Sequence, residues 1–241
     1  MTLARQCAKT CDSLDYMQVV LIRHAHSEAN AKGVLSGRTS GVHLSAKGIA
    51  QSEALITRLG ALKIAAIRIS PLERCAETIN PWWDSTGKPN NRSIEIEEDP
   101  HLIEVDYGSW SGKKLSQLSR QRMWKTVQNN PSAMYFPSGE SLAGMQSRAM
   151  KSVHDALRVR RKGSIVLVSH GDVIKSIVAS SLGMHLDDFQ RIVIDPASVT
   201  ILDFSESKAR LTLMNDSSGN LENLINAPFR KGPLIGGGAG I

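Results

Sequence analysis

Short apolar runs alternate with stretches of helical periodicity along most of this chain. Val19–Arg23 predicts a strand that ends in charge. Ser45 to about Leu62 predicts a helix, with Ser45 as N-cap and Ile49, Ile56 and Leu59 on its apolar face. Ala65–Ser70 predicts a second strand. Pro71 then stands at the start of a helix, where its missing N–H does no harm. Ile94–Glu97 alternates like an edge strand. Leu115–Asn129 and Ser141–Arg161 predict helices, the second with Leu142, Met145, Val153 and Leu157 at near-helical spacing. Ser164–Ser169 (SIVLVS) is β-rich and apolar, as a central strand is. Asp172–Leu182 predicts a helix, and Val199–Phe204 with Ala209–Met214 a closing hairpin-like pair. Strands alternating with helices imply an α/β protein: a mostly parallel sheet of about six strands covered on both faces, a three-layer αβα sandwich.

Composition narrows the class. The chain has 241 residues and 41% hydrophobic content, enough for one sizeable core. The expected organisation is a domain over 17–222, between a polar N-terminal extension (1–16) and a Gly/Pro-rich tail (223–241), both read as disordered. No run approaches the ~18 apolar residues of a membrane span, and the start has no apolar secretory core. Three cysteines, an odd number, read as free thiols, and Cys7 and Cys11 lack a partner pair for a metal site. These features predict a cytoplasmic protein that uses no membrane. The net charge of +6 is scattered, apart from a cluster at Arg158, Arg160, Arg161 and Lys162 read as a solvated helix end. That charge suits a small anionic substrate and does not call for nucleic acid. Monomer and homodimer both stay open.

The chemistry gathers at three strand ends. The first delivers Arg23 and His24. The second runs into SPLERCAET and puts Arg74 in the first turn of a helix. The SIVLVS strand runs into SHGD, with His170 and Gly171 before a helix. Open α/β sheets bind ligands beyond the carboxyl ends of their strands, so these residues are expected to converge. Two guanidiniums and two imidazoles repel one another unless an anion sits among them, and a phosphate monoester suits arginine forks and helix N-termini. The rival is a metal chelate through His24 and His26, two apart and on one face if the strand continued. Barrels that use such a pair have eight strands, against about six here, and no further histidine–carboxylate pair has ligand spacing.

These segments resemble the histidine phosphatase superfamily, which includes the cofactor-dependent phosphoglycerate mutases, from about Gln18 to Asn220. Its RHGxSxxN signature is matched by RHAHSEAN, and its next segment by SGRTSGVHLSAKGIAQ. SPLERCAET, LIEVDYGSWSG, PSGES and the final SHG follow in the family's order. SPLERC, GESL, SHGDVIKS, GMH and FQRIV bring the chain nearest to a bacterial branch labelled as phosphomutases.

The resemblance implies a phosphoglycerate mutase-like fold and metal-independent chemistry on a small phosphorylated metabolite, with no cofactor. It makes His24 the nucleophile that becomes phosphorylated and Glu104 the proton donor. Arg23, Arg74 and His170 would hold the phosphoryl oxygens, joined by Asn30, with Ser36 and Gly37 nearby. The expected activity is hydrolysis of phosphate monoesters. Phosphomutase is the alternative, and a catalytically inactive binder of phosphorylated ligands is the alternative from another class. There are departures. Ala25 replaces the signature glycine. Glu77 replaces a glutamine and reads as a helix-surface change. Val105 stands where the mutases carry a basic residue for the substrate carboxylate, and Leu115 where they carry a lysine. Lys113, Lys114, Arg120 and Arg122 are the candidate substitutes, and the leaving-group pocket is expected between Val105 and Ser141.

Overall fold

The structure, a computed structural model, describes residues 17–158, 163–204, 208–221 and 225. The elements in chain order are β1 (Gln18–Arg23), α1 (Glu28–Ala31), α2 (Ala46–Leu59), β2 (Ile64–Ile69), α3 (Glu73–Trp82), α4 (Lys88–Asn90) and β3 (Ile96–Glu98). After them come α5 (Leu115–Leu118), α6 (Arg122–Asn129), α7 (Leu142–Leu157), β4 (Ser164–Ser169), α8 (Gly171–Ser181), β5 (Val199–Asp203) and β6 (Arg210–Asp216).

One six-stranded sheet has the order β3-β2-β4-β1-β5-β6. The β1–β4, β2–β4 and β2–β3 pairs are parallel, and only β5 among the described strands runs against the rest. The period-2 alternation of a strand explains the layers. Val19 and Leu21 face one core with Ile165 and Leu167, under α7, α8 and the segment from Leu102 to Phe136. Val20 and Ile22 face the other with Val166 and Val168, under α2 and α3. The expected αβα sandwich is the observed one.

Three local expectations need correction. Ile49 is 52% exposed, and α2 instead buries Gly48, Ser52, Leu55 and Leu59. A Cβ at Gly48 would lie 2.0 Å from the His26 carbonyl oxygen, so the first turn of the packing face needs a small residue for the helix to approach the β1–α1 loop. The expected helix 115–129 is two helices. Leu118 and Val127 are both buried in one core. Nine residues apart, they would lie about half a turn apart on a continuous helix, and extended Gln121 breaks it so that both pack inward. Pro71 precedes α3 by two residues rather than opening it.

The expected extension 1–16, with Cys7 and Cys11, lies outside the described residues, as do Arg160, Arg161, Lys162 and all of the expected tail except Ile225. Ile225 is buried in the α2/α3 core. Arg158 is exposed and ion-pairs with Asp155.

Candidate active site

β2, β4 and β1 are parallel neighbours, so their carboxyl ends lie side by side. The His24 N–H donates to the Ser169 carbonyl at 2.9 Å and Ser70 N–H to the Val168 carbonyl at 2.9 Å, which continues the ladder past the strands. His170 follows as the N-cap residue of α8, and Arg74 lies in the first turn of α3. The structure thus brings Arg23, His24, Arg74 and His170 together, with all but half-buried Arg23 out of solvent.

Hydrogen bonding fixes the tautomers of both rings. His24 Nδ1 is 2.8 Å from the Ala25 carbonyl oxygen, which can only accept. Nδ1 therefore carries the proton and Nε2 the lone pair. His170 Nδ1 faces Arg74 Nη2 at 3.3 Å. A guanidinium only donates, so Nδ1 accepts and Nε2–H donates to Ser70 Oγ at 2.7 Å. The ring centroids are 5.1 Å apart. Burial first, then the Arg74 charge, holds both imidazoles well below the usual histidine range, and both are neutral at pH 7.

Arg74 donates through Nη2 to the Gly37 carbonyl at 2.8 Å. Gly37 holds φ +53°, and a Cβ there would lie 2.9 Å from Ser111 Oγ, so the turn that aims this carbonyl requires glycine. Arg23 Nη1 donates to the Ile194 carbonyl at 2.6 Å. Arg23 Nε, Arg74 Nε and Arg74 Nη1 are buried with no acceptor. Unsatisfied cationic donors around two neutral imidazoles leave room for an anion, since each unpaired buried donor costs about 1–3 kcal/mol or more.

Asn30, Ser36, Gly37, Glu104 and Gly171 line the same cavity, of about 490 Å³, with Arg23 and His24. Asn30 Oδ1 accepts from Ser27 N–H and closes a capping box on α1, so its amide NH₂ is the part left for a ligand. Glu104 Oε1 accepts from Val105 N–H at 2.9 Å, and Oε2 lies 3.9 Å from His170 Nδ1. Burial, and then the Asp172 carboxylate, push the Glu104 acid up to about 7.

Several residues escaped the sequence reading. Arg148 donates to the carbonyls of Ile103 at 2.6 Å and Glu104 at 3.1 Å. It also holds both carboxylate oxygens of Glu140. Arg38 spans the Glu104 carbonyl and Glu140. This clasp fixes the backbone that carries Glu104, and the one sequence signal for it was Glu140 inside PSGES. Tyr107 donates to Asp172 Oδ2 at 2.8 Å beside Glu104. The segment Gln190–Asp195 lines the cavity, and FQRIV marks it only as a likeness to relatives, with no role in the site.

Other expected features differ. Val105 is fully buried in the α7/α8 core and does not line the cavity. Lys113, Lys114, Arg120 and Arg122 are exposed and lie off the cavity. Glu77 is more than a surface change: its carboxylate accepts the Leu44 N–H at 2.9 Å and bonds His43 Nδ1, latching the 41–44 loop to α3. His26 Nδ1 bonds Ser45 Oγ, away from His24. Among the described residues no three His, Cys, Asp or Glu side chains are grouped to hold a metal ion.

A mixed sheet with a basic, histidine-bearing pocket at its carboxyl edge defines a class of α/β proteins built to receive an anion. The family model described as histidine phosphatase superfamily (branch 1) matches residues 19–217, and the chain belongs to that superfamily. Phosphoserine phosphatase 1 of Hydrogenobacter thermophilus is 26% identical over 204 residues, covering 83% of this chain and 92% of its own. The 2,3-bisphosphoglycerate-dependent phosphoglycerate mutase of Thermoplasma acidophilum is 27% identical over 191 residues, 76% of this chain and 86% of its own. The crystal structure of the alpha-ribazole phosphatase from Shigella flexneri shares the fold, with a TM-score of 0.74 at 23% identity, over 86% of this chain and all (100%) of that one. No helix among the described residues is long and apolar enough to cross a membrane.

Proposed function

We propose that this protein hydrolyses small phosphate monoesters through a phosphohistidine at His24. The observation that carries the reading is the set of unpartnered N–H groups on Arg23 and Arg74, around an imidazole whose Nδ1 is tied to a carbonyl and whose Nε2 holds a lone pair.

The phosphoryl group sits among Arg23, Arg74, His170 and the Asn30 amide, near the Ser36–Gly37 turn and Gly171 at the start of α8. The arginines spread its charge over the equatorial oxygens in a loose transition state. His170 already donates from Nε2 to Ser70. When the ester binds as its monoanion, Nδ1 takes the phosphate's proton and donates it in a hydrogen bond to a phosphoryl oxygen, and that proton departs with the phosphate product. Nε2 of His24 bonds to phosphorus as the bond to the alcohol oxygen breaks, and protonated Glu104 gives its proton to the leaving alkoxide. The resulting carboxylate then takes a proton from water as that water attacks phosphorus. The P–N bond breaks, and phosphate leaves with His24 and Glu104 restored.

Phosphatase is favoured over mutase. A mutase acting on phosphoglycerates needs a free cation for the substrate carboxylate. Outside the phosphate subsite the cavity offers Lys175, which is bonded to Asp172 Oδ1 at 3.3 Å and Gln190 Oε1 at 3.2 Å. The test is labelling with a ³²P-phosphorylated substrate. An acid-labile, base-stable label is expected on the native protein and none on His24→Ala, and a label on Ser27 would overturn the mechanism. Phosphate release exceeding isomerisation of 3-phosphoglycerate in one mixture supports phosphatase, and the reverse supports mutase. Turnover of p-nitrophenyl phosphate separates both from an inactive binder.

A further inference from the structure

Resting on the phosphatase reading, the composition of the rest of the cavity identifies the alcohol. Beyond Arg23 and His24 the lining is mostly apolar, with Leu35, Trp124, Val127, Phe136, Ile192 and Ile194, and Tyr107, Gln128 and Gln190 are its uncharged polar members. Trp110 stacks on Trp124 with centroids 6.2 Å apart and meets Phe136 edge-on at 5.4 Å, which makes a rigid aromatic wall. The mouth is apolar too. Six large hydrophobic side chains are exposed among the described residues, and two of them, Leu115 at 42% and Val193 at 61%, line this cavity. Exposed apolar groups at the rim of a pocket whose outer half is mostly apolar mark a ligand surface better than scattered ones do.

The charges point the same way. Lys175 lies over the Phe189 ring and is held by Asp172 and Gln190. The other charged groups on this half are the carboxylates Asp172 and Asp195, and the latter accepts from Asn215 Nδ2 at 2.8 Å. A substrate carboxylate would meet the Asp172 and Asp195 carboxylates and apolar walls, and would have to compete with Asp172 and Gln190 for the Lys175 ammonium to offset its lost hydration.

We propose that the alcohol of the substrate is a bulky, uncharged apolar group, a phenol or a longer or branched alkyl alcohol, and not a hydroxy acid. Ethyl, butyl and hexyl phosphate form a matched series, because their alkoxides leave about equally well. From ethyl to hexyl, kcat/KM should rise by about tenfold or more, given the apolar area the walls can cover. 3-Phosphoglycerate and phosphoserine should fall below butyl phosphate. Leu115→Asp puts a charge at the exposed rim, where it need not disturb the core, and should remove most of the hexyl-to-ethyl ratio.

Calorimetry with ethyl-, hexyl- and 2-carboxyethylphosphonate reads the same preference without turnover. Hexylphosphonate binding at least about tenfold tighter than the other two, with no hydrolysis of any ester, would keep this inference and end the phosphatase reading. Hydrolysis with a flat chain-length series, or with the carboxylated esters fastest, would end this inference and keep the phosphatase reading.

Discussion

The two halves of the cavity are built from different materials. The phosphate half stands on three adjacent strand ends and two helix N-termini, and its side chains are charged or titratable. The outer half is assembled from α5, α6, the turns around Trp110 and Phe136, and the 190–195 segment, and its side chains are mostly apolar. The first half needs fixed geometry, because phosphorus chemistry is lost with small displacements. The second needs only a shape and a polarity, which short elements can supply. Changes in the first half should therefore act on every substrate alike, and changes in the second should re-rank substrates.

The largest effect should come from His24. His24→Ala is expected to lower kcat for all monoesters by about 10⁴-fold or more, with the thermal transition little changed. Arg74→Lys should follow closely. The lysine keeps a charge but not the fork, and the Gly37 carbonyl would lose its donor. Steady-state kinetics on ethyl and hexyl phosphate check both. A loss confined to one ester would break the division between the halves.

Glu104 stands where the halves meet. Glu104→Gln should cost hydrolysis of alkyl phosphates about 10²-fold or more, and that of p-nitrophenyl phosphate far less, since a phenolate leaves with little help. Equal losses would make Glu104 structural. The acid form must be present for the first step and its pKa lies at about 7. The rate on alkyl esters should therefore fall as pH rises through that region. Asp172 is the carboxylate that raises it after burial does. Asp172→Asn should lower the Glu104 pKa and move the alkaline limb to lower pH, and an unmoved limb would assign it to another group.

How much of this was legible in the sequence follows the same division. Arg23, His24, Arg74 and His170 could be read because period-2 apolar runs mark strand ends, and parallel neighbours bring those ends together. The fold was legible for the same reason. Ile49 was misplaced because the packing face of α2 runs through Gly48 and Ser52, small residues that carry no hydrophobic signal, before it reaches Leu55 and Leu59. Val105 was read as a substrate neighbour because motif alignment gives order along the chain but not the direction of a side chain. The Arg38–Glu140–Arg148 clasp joins residues up to 110 positions apart (38 to 148) through side chain-to-side chain and side chain-to-backbone bonds, which leave no periodicity to find. Arg148→Ala tests it. Leaving Glu140 and the Glu104 carbonyl short of a donor should lower kcat about tenfold on alkyl phosphates and less on p-nitrophenyl phosphate, and Arg148→Lys should rescue little of it because the bonds are multiple.

The smallest effect concerns the latch behind the phosphate half. Glu77 holds Leu44 N–H and His43, and so anchors the loop that leads from Gly37 into α2. The hydrogen bond and charge of Glu77 raise the His43 pKa above its ordinary value, although the imidazole is exposed. A group whose folded pKa is raised stabilises the fold fully below its unfolded pKa, about 6.5, and loses that contribution as pH rises through the folded value. Glu77→Gln keeps an acceptor for Leu44 but removes the charge. It should lower Tm slightly at pH 5.5, with a smaller difference at pH 8.5, and added salt should shrink the acidic difference because the pair is solvent-screened. A larger loss at pH 8.5 than at pH 5.5 would show that the Leu44 bond, not the His43 pair, is what Glu77 supplies.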